Sequence, residues 1–232
     1  MHPIERLRAL SRAREVDQTL LAREAAAVLA SFAGDPPGLV TACRRLLDRH
    51  PSAGALWWTL ARLLAAGDLR AESATIRSDL DAEPAATTLS LDLPTGAVVA
   101  IVPDVAGGSE LAYDLCGWRD DLVVAHDPGA LHADRPEPRV LLVEAGAADT
   151  ERFLAPEGTG DEIAAARDAG VPVWLVVDTG RRLPRALFDA VVRRSPPECE
   201  VVARREAEKV VETGRRAECP VPPELLRAPA GW

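Results

Sequence analysis

The sequence predicts an α/β protein: an N-terminal helical bundle followed by a Rossmann-like domain built on a mainly parallel sheet. Three observations predict it. Over residues 1–93 apolar residues recur at helical spacing between proline, glycine and aspartate breaks. After Gly96 the pattern changes to short continuous apolar runs, which suit strands covered on both faces. Helical stretches separate those runs, and strands alternating with helices give a doubly wound sheet. The expected domains are therefore 1–93, helical, and 94–232, α/β.

The elements follow in order. Asp17 is the N-cap of a helix over 18–33, where Leu20, Leu21, Ala25, Val28 and Leu29 recur at helical spacing. Gly34-Asp35-Pro36-Pro37 ends it and starts a second helix, 38–49, with Leu39, Cys43, Leu46 and Leu47 on one face. Pro51-Ser52 breaks the chain again, and Ser52 is placed to cap a helix over 53–66 that buries Leu56, Trp57, Leu60, Leu63 and Leu64. Gly67-Asp68 leads into a weaker helix ending near Leu80. His50-Pro51 with Trp57, Leu60 and Leu64 resembles one tetratricopeptide unit, but no second copy follows about 34 residues on. The segment therefore reads as a bundle packed on the next domain. Residues 81–93 form a linker or short linking helix. Beyond them the runs 97–102 (AVVAIV), 122–125 (LVVA), 140–143 (VLLV) and 173–177 (VWLVV) are the expected strands, with 200–203 (EVVA) as a fifth. Helices fall at about 109–116, 161–169 and 184–194.

Composition narrows the function. With 47% hydrophobic and 27% charged residues, the chain can bury a real core. Aromatics make up only 4%, so that core is built of Ala, Leu and Val. The net charge of −9 is uneven: residues 1–93 carry 11 arginines against 12 acids, and 94–232 carry 16 basic against 24 acidic residues. Such an excess repels a phosphate backbone and argues against nucleic acid as a partner. No charged-then-apolar leader opens the sequence, and no run reaches the roughly 18 apolar residues of a membrane span. Cys43, Cys116, Cys199 and Cys219 are scattered without a CxxC pair. Neither a zinc ribbon nor a disulfide framework is expected, and the cytoplasm is the expected location. No cofactor or metal is expected.

In an open parallel sheet, ligands bind beyond the carboxyl ends of the strands, which selects the loops 103–109, 126–132, 144–150 and 178–182. Gly107-Gly108-Ser109 follows the first strand and opens a helix, so its amides can cradle an anion, although Asp104 and Glu110 flank it. His126-Asp127-Pro128-Gly129 and His132 offer too few ligands for a metal and read as solvated loop. Cys116 lies late in its helix, near the negative end of the dipole, and reads as a small buried hydrophobe rather than a nucleophile. No GxSxG elbow is present. Glu144 ends the third strand and Asp149 follows five residues on; two carboxylates in different environments can serve as acid and base, so this is the candidate catalytic pair. Asp178, at the end of the fourth run, is a candidate ligand-binding residue.

From Val140 onward the chain is similar to the end of the initiation factor 2B alpha/beta/delta family, which includes methylthioribose-1-phosphate and ribose-1,5-bisphosphate isomerases. That family runs a strand into a "GAD" turn, then "NKIGT", then a helix ending "AxxxGVPxxV", and closes on "VTPPELI". Here the order is Leu142-Val143-Glu144-Ala145-Gly146, Gly158-Thr159-Gly160, Ala166 through Gly170-Val171-Pro172-Val173, and Pro220-Val221-Pro222-Pro223-Glu224-Leu225-Leu226.

The resemblance implies a homodimer through the α/β domain and a small phosphorylated ligand, with Gly158 and Thr159 joining Gly107, Gly108 and Ser109 at its site. It also implies, for the isomerases, a cysteine and an aspartate that move a proton or hydride on a ring-opened sugar phosphate. The departures bear on activity. The GAD turn reads Glu144-Ala145-Gly146-Ala147, leaving only Glu144 or Asp149 to substitute for the aspartate. The Asn-Lys of NKIGT is Pro156-Glu157, which removes a positive charge, and the segment carrying the family cysteine has no counterpart in 102–136. The expected function is a non-catalytic or reduced relative acting as a ligand-sensing or assembly module. The alternatives are an isomerase-like enzyme on a small phosphorylated metabolite and a protein-interaction module built on the N-terminal helices. Pro222-Pro223 is expected to hold the tail extended, with Leu225 and Leu226 against the sheet's carboxyl end or near the dimer interface.

Overall fold

The computed structural model describes residues 3–13, 16–82, 84–105, 111–125, 131, 138–214 and 219–226. Five helices come first: α1 (Pro3–Arg12), α2 (Gln18–Leu29), α3 (Pro36–Arg49), α4 (Gly54–Ala65) and α5 (Leu69–Leu80). Their starts follow capping chemistry. The Asp17 carboxylate accepts from the Leu20 amide at 2.9 Å, Asp35 from Gly38 at 3.0 Å, and Asp68 from Arg70 and Ala71 at 3.0 Å each. Pro36 and Pro37 fall inside the first turn of α3, where no N–H is needed, so that helix begins earlier than its spacing predicts. Ser52 is not the cap of α4: its N-cap residue, Ala53, makes no side-chain bond. The Gly54 amide instead donates to the Gly146 carbonyl at 3.0 Å, so a tertiary contact satisfies the helix start.

The α/β half holds a five-stranded parallel sheet from β1 (Val98–Val102), β2 (Val123–Ala125), β3 (Arg139–Glu144), β6 (Val173–Val177) and β8 (Lys209–Glu212), in the order β2-β1-β3-β6-β8. Successive residues of the apolar runs face opposite cores. Val99, Ile101, Val140, Leu142 and Val176 pack with α6 (Ala85–Asp92) and α7 (Leu111–Trp118). Ala100, Val102, Leu141, Val143, Leu175 and Val177 pack with α8 (Thr159–Asp168) and with Phe153 and Val202. Two covered faces are why these runs carry no polar alternation. The run at 200–203 is a strand, but not of this sheet. As β7 (Cys199–Ala203) it pairs antiparallel with β5 (Arg152–Pro156), beside the two-residue β4 (Ala147–Ala148).

The two halves share packing. A bundle core of Leu29, Leu46, Trp57 and Leu60 continues into Leu187, Phe188 and Val191 of α9 (Arg185–Arg194). The tail ends in α10 (Pro223–Leu226), whose Leu225 is buried in that same core and whose carbonyl accepts from Arg194 Nη2 at 3.4 Å. The tail thus docks on α9 and the bundle core, not on the sheet's carboxyl end, because Leu225 finds an apolar surface there. Cys116 is exposed rather than buried: the inward face of α7 is Leu111 and Leu115, one step round the helix. No described helix is long and apolar enough to cross a membrane.

Candidate functional site

Three parallel strands deliver charged residues to the sheet's carboxyl end, where open α/β sheets bind ligands. Asp104 follows β1, Glu144 ends β3, and Asp178-Thr179-Gly180-Arg181 follows β6. Gly180, at φ +78°, makes the turn that carries Arg181 inward, and Trp58 of α4 would lie 3.1 Å from a Cβ there. The helical bundle covers the same edge. Gln18 at the start of α2 donates from Nε2 to Asp104 Oδ2 at 2.8 Å and accepts from the Ala55 amide at 3.3 Å.

Arg181, 1% exposed, is the centre of this arrangement. Its Nη1 lies 3.0 Å from Asp104 Oδ2 and 3.6 Å from Glu144 Oε1, and Nη2 lies 3.8 Å from Asp17 Oδ2. Nη1 also donates to the Ala145 carbonyl at 3.1 Å. Burial works to lower the Arg181 pKa, but Asp104, Glu144, Asp178 and Asp17 outweigh it and raise the value, so the group stays charged. A cavity of about 160 Å³ opens beside it, lined by Asp17, Asp114, Glu144, Asp178 and Arg181 among others. Burial first, and then repulsion from Asp17 and Asp178, raises the Asp114 pKa. Arg181 Nε and Thr179 Oγ1 are buried without a hydrogen-bond partner among the described residues.

Of the candidate residues, the structure brings Glu144 and Asp178 together in this cavity. Asp178 Oδ1 accepts from the Thr179 amide at 2.8 Å and from Thr213 Oγ1 at 2.5 Å. Asp149 does not line the cavity. Its carboxylate accepts from the Glu151 and Arg152 amides at 2.8 and 2.7 Å and from Arg152 Nε at 3.0 Å, closing the turn between β4 and β5. Burial works to raise its pKa, but those bonds outweigh it and hold the carboxyl below its usual value. Gly158, at φ +90°, is the N-cap residue of α8, and Thr159 donates to the Pro156 carbonyl at 2.7 Å; neither lines the cavity. The Gly160 amide donates to Glu200 Oε1 at 2.6 Å, so a carboxylate of the chain itself sits where α8 would receive an anion. Gly107, Gly108, Ser109, His126 and His132 lie outside the described residues. Arg181, Asp17 and Asp114 were not foreseen from sequence. The one signal was their setting, Asp178-Thr-Gly-Arg181 at a strand's carboxyl end and Asp17 at a helix cap. Among the described residues no group of three or more His, Cys, Asp or Glu could hold a metal ion.

This chain shares its fold with solved structures of translation initiation factor 2B subunits and of a 5-methylthioribose 1-phosphate isomerase. In particular, the chain is similar to the translation initiation factor 2B protein of Pyrococcus horikoshii OT3, with a TM-score of 0.66, 12% identity, and coverage of 90% of this chain and 94% of that one. It is similar to the tetrameric beta2–delta2 complex of initiation factor 2B from C. thermophilum (TM-score 0.63, 13% identity, 90% and 88% covered). It is also similar to 5-methylthioribose 1-phosphate isomerase of Pyrococcus horikoshii OT3 (TM-score 0.56, 14% identity, 89% and 82% covered). No protein-family model matches the sequence, and no curated protein sequence matches it.

Proposed function

We propose that this protein is a non-catalytic member of the initiation factor 2B-like group, acting as a ligand-sensing or assembly module. The observation that carries the reading is Gly146, third in the turn where the family pattern has its aspartate. A Cβ at Gly146 would lie 3.2 Å from Val105 Cγ2, 3.4 Å from the Leu154 carbonyl oxygen and 3.5 Å from that of Ser52. The Gly146 carbonyl meanwhile accepts from Gly54. A carboxylate there would face two carbonyl oxygens and an aliphatic side chain. Val105 after β1, Leu154 of β5 and Ser52 of the bundle together pack around the position the family pattern gives to the acid, and Glu144 beside it lies against Arg181.

The charges favour a neutral or cationic ligand over a phosphorylated one. Five carboxylates (Asp17, Asp104, Asp114, Glu144 and Asp178) surround one guanidinium, so an anion entering meets net repulsion. A hydroxyl-bearing ligand could donate to the carboxylates and accept from Arg181 Nε. At about 160 Å³ the cavity is also below the roughly 300–1,000 Å³ of ordinary ligand clefts.

For assembly the reading is a homodimer through the α/β half. Leu91, Tyr113, Trp118 and Val123 are 83%, 82%, 61% and 53% exposed on α6, α7 and the edge strand β2. Large apolar side chains on adjoining elements, beside a strand edge with no partner among the described residues, favour an interaction surface here. Sedimentation velocity at micromolar concentration should give a dimer, and Trp118→Asp should give a folded monomer; a wild-type monomer would overturn the assembly reading. A thermal-shift panel of ribose, diamines and sugar phosphates tests the ligand reading. A ligand at a hundred times its dissociation constant adds about 2.7 kcal/mol, and the sugar phosphates should give the smallest shift.

A further inference from the structure

The N-terminal bundle carries a second concavity, and no residue lines both it and the cavity at the sheet. This groove, about 1260 Å³, runs between α1 and α3. Its accessible apolar strip is the half-buried pair Leu7 and Phe32, over a floor formed by the buried Ala42 and Leu46. Arg8 and Arg12 border it on α1, and Arg45 and Arg49 border it on α3; all four are exposed. Within each helix the two arginines are four residues apart, so each helix presents one basic row along the strip. Asp48 is the one acid among the described residues that line the groove. Arg8 pairs with Glu5 at 2.7 Å, whereas Arg12, Arg45 and Arg49 form no ion pair among the described residues. Three uncompensated cations in one groove stand out in a chain of net charge −9.

We propose that this groove is a docking site for an acidic amphipathic helix of a partner protein. The strip supplies the apolar contact that such a helix lays into a groove, read as anchors at i, i+3, i+4 and i+7. The two arginine rows supply complementary charge for acidic residues flanking that stripe. Arginines one helical turn apart are separated by about 6 Å along the axis, which matches acids four apart on the occupant. Nucleic acid fits less well: the apolar strip offers a phosphate backbone nothing, and the chain's overall negative charge repels a long polyanion while leaving a short helix to the local field.

The probe is a fluorescein-labelled synthetic helix of about four turns, with leucines at i, i+3, i+4 and i+7 and glutamates flanking them. Its anisotropy is titrated with the full chain, beside a second peptide in which lysines replace the glutamates and beside a labelled DNA duplex. The glutamate peptide should bind with a dissociation constant in the micromolar range, more weakly as salt rises. The variant Arg12→Glu/Arg45→Glu/Arg49→Glu should bind it at least about tenfold more weakly with an unchanged melting curve. These residues are exposed, so the fold should tolerate the change; Arg45→Ala alone, with about a twofold to fivefold loss, serves if it does not. Absence of binding at millimolar protein, equal binding of the lysine peptide, or an undiminished affinity in the charge-reversal variant overturns the proposal. Tighter binding of the duplex, lost in the same variant, would overturn it in favour of nucleic acid.

Discussion

Replacing Arg181 with methionine isolates the charge at the centre of the site. The substitution keeps much of the side-chain volume but leaves Asp104 and Glu144, 2% and 3% exposed, without the guanidinium that lies 3.0 and 3.6 Å from them. Removing one partner of a buried charge pair costs about 3–5 kcal/mol, and the lost bond to the Ala145 carbonyl adds about 1 kcal/mol. Set against a typical total of about 5–15 kcal/mol, that is a large fraction. At roughly 2–4 °C per kcal/mol for a chain of this size, the melting temperature should fall by roughly 10–20 °C at pH 8. The deficit should shrink as pH falls. Protonation removes the buried negative charge that Arg181 no longer compensates, so the variant should regain stability with acidity relative to the native protein. Calorimetric melts of both proteins at pH 8 and pH 5 read this directly, and Asp104→Asn in the variant should recover part of the loss. A deficit under about 1 kcal/mol, or one identical at both pH values, would mean the guanidinium fills space rather than compensates charge.

Two further substitutions probe the surroundings. Gly54→Ala would put a Cβ 2.6 Å from the Gly146 carbonyl oxygen and 2.9 Å from Ala147 Cβ, and should lower stability by about 1–3 kcal/mol. Gly67→Ala, with nothing within 4 Å, should change it by no more than about 0.5 kcal/mol; equal effects in denaturant titrations would refute close packing of bundle on sheet. Asp114→Asn should raise the melting temperature at pH 7. The folded pKa of Asp114 is raised, so its ionised form destabilises the fold as pH climbs above the unfolded value of about 3.9, and the gain should vanish below about pH 4. A variant that melts below the native protein at pH 7 would contradict the crowding of carboxylates in the cavity.

The sheet was legible because β1, β3 and β6 are covered on both faces and so read as unbroken apolar runs, and the half-covered edge strand β2 still carries one in Leu122–Ala125. β8 was not legible: an edge strand with only Val210 and Val211 between Lys209 and Glu212 leaves too short a run. The run at 200–203 showed a strand but not its partner, since pairing with β5 is decided by which surface the chain meets after α9. At the site, the rule for strand ends selected the loops holding Glu144 and Asp178. Arg181 escaped notice because it is one arginine in an arginine-rich chain. Its burial depends on Asp17 and on Gln18, which reaches Asp104 across 86 residues of sequence. Asp149 could have been read differently. An aspartate followed by polar residues between two short strands is a turn former that bonds amides two and three residues on, and that is the part it plays.

The most direct test of a non-catalytic role is an isomerase assay on the purified 232-residue chain. Methylthioribose 1-phosphate and ribose 1,5-bisphosphate are each supplied at millimolar concentration, and ketose product is followed by NMR. With Gly146 in the closed turn and Glu144 against Arg181, product should not rise above the enzyme-free rate. Turnover of either substrate that disappears in a Glu144→Gln variant would contradict the reading and place an active acid in this cavity.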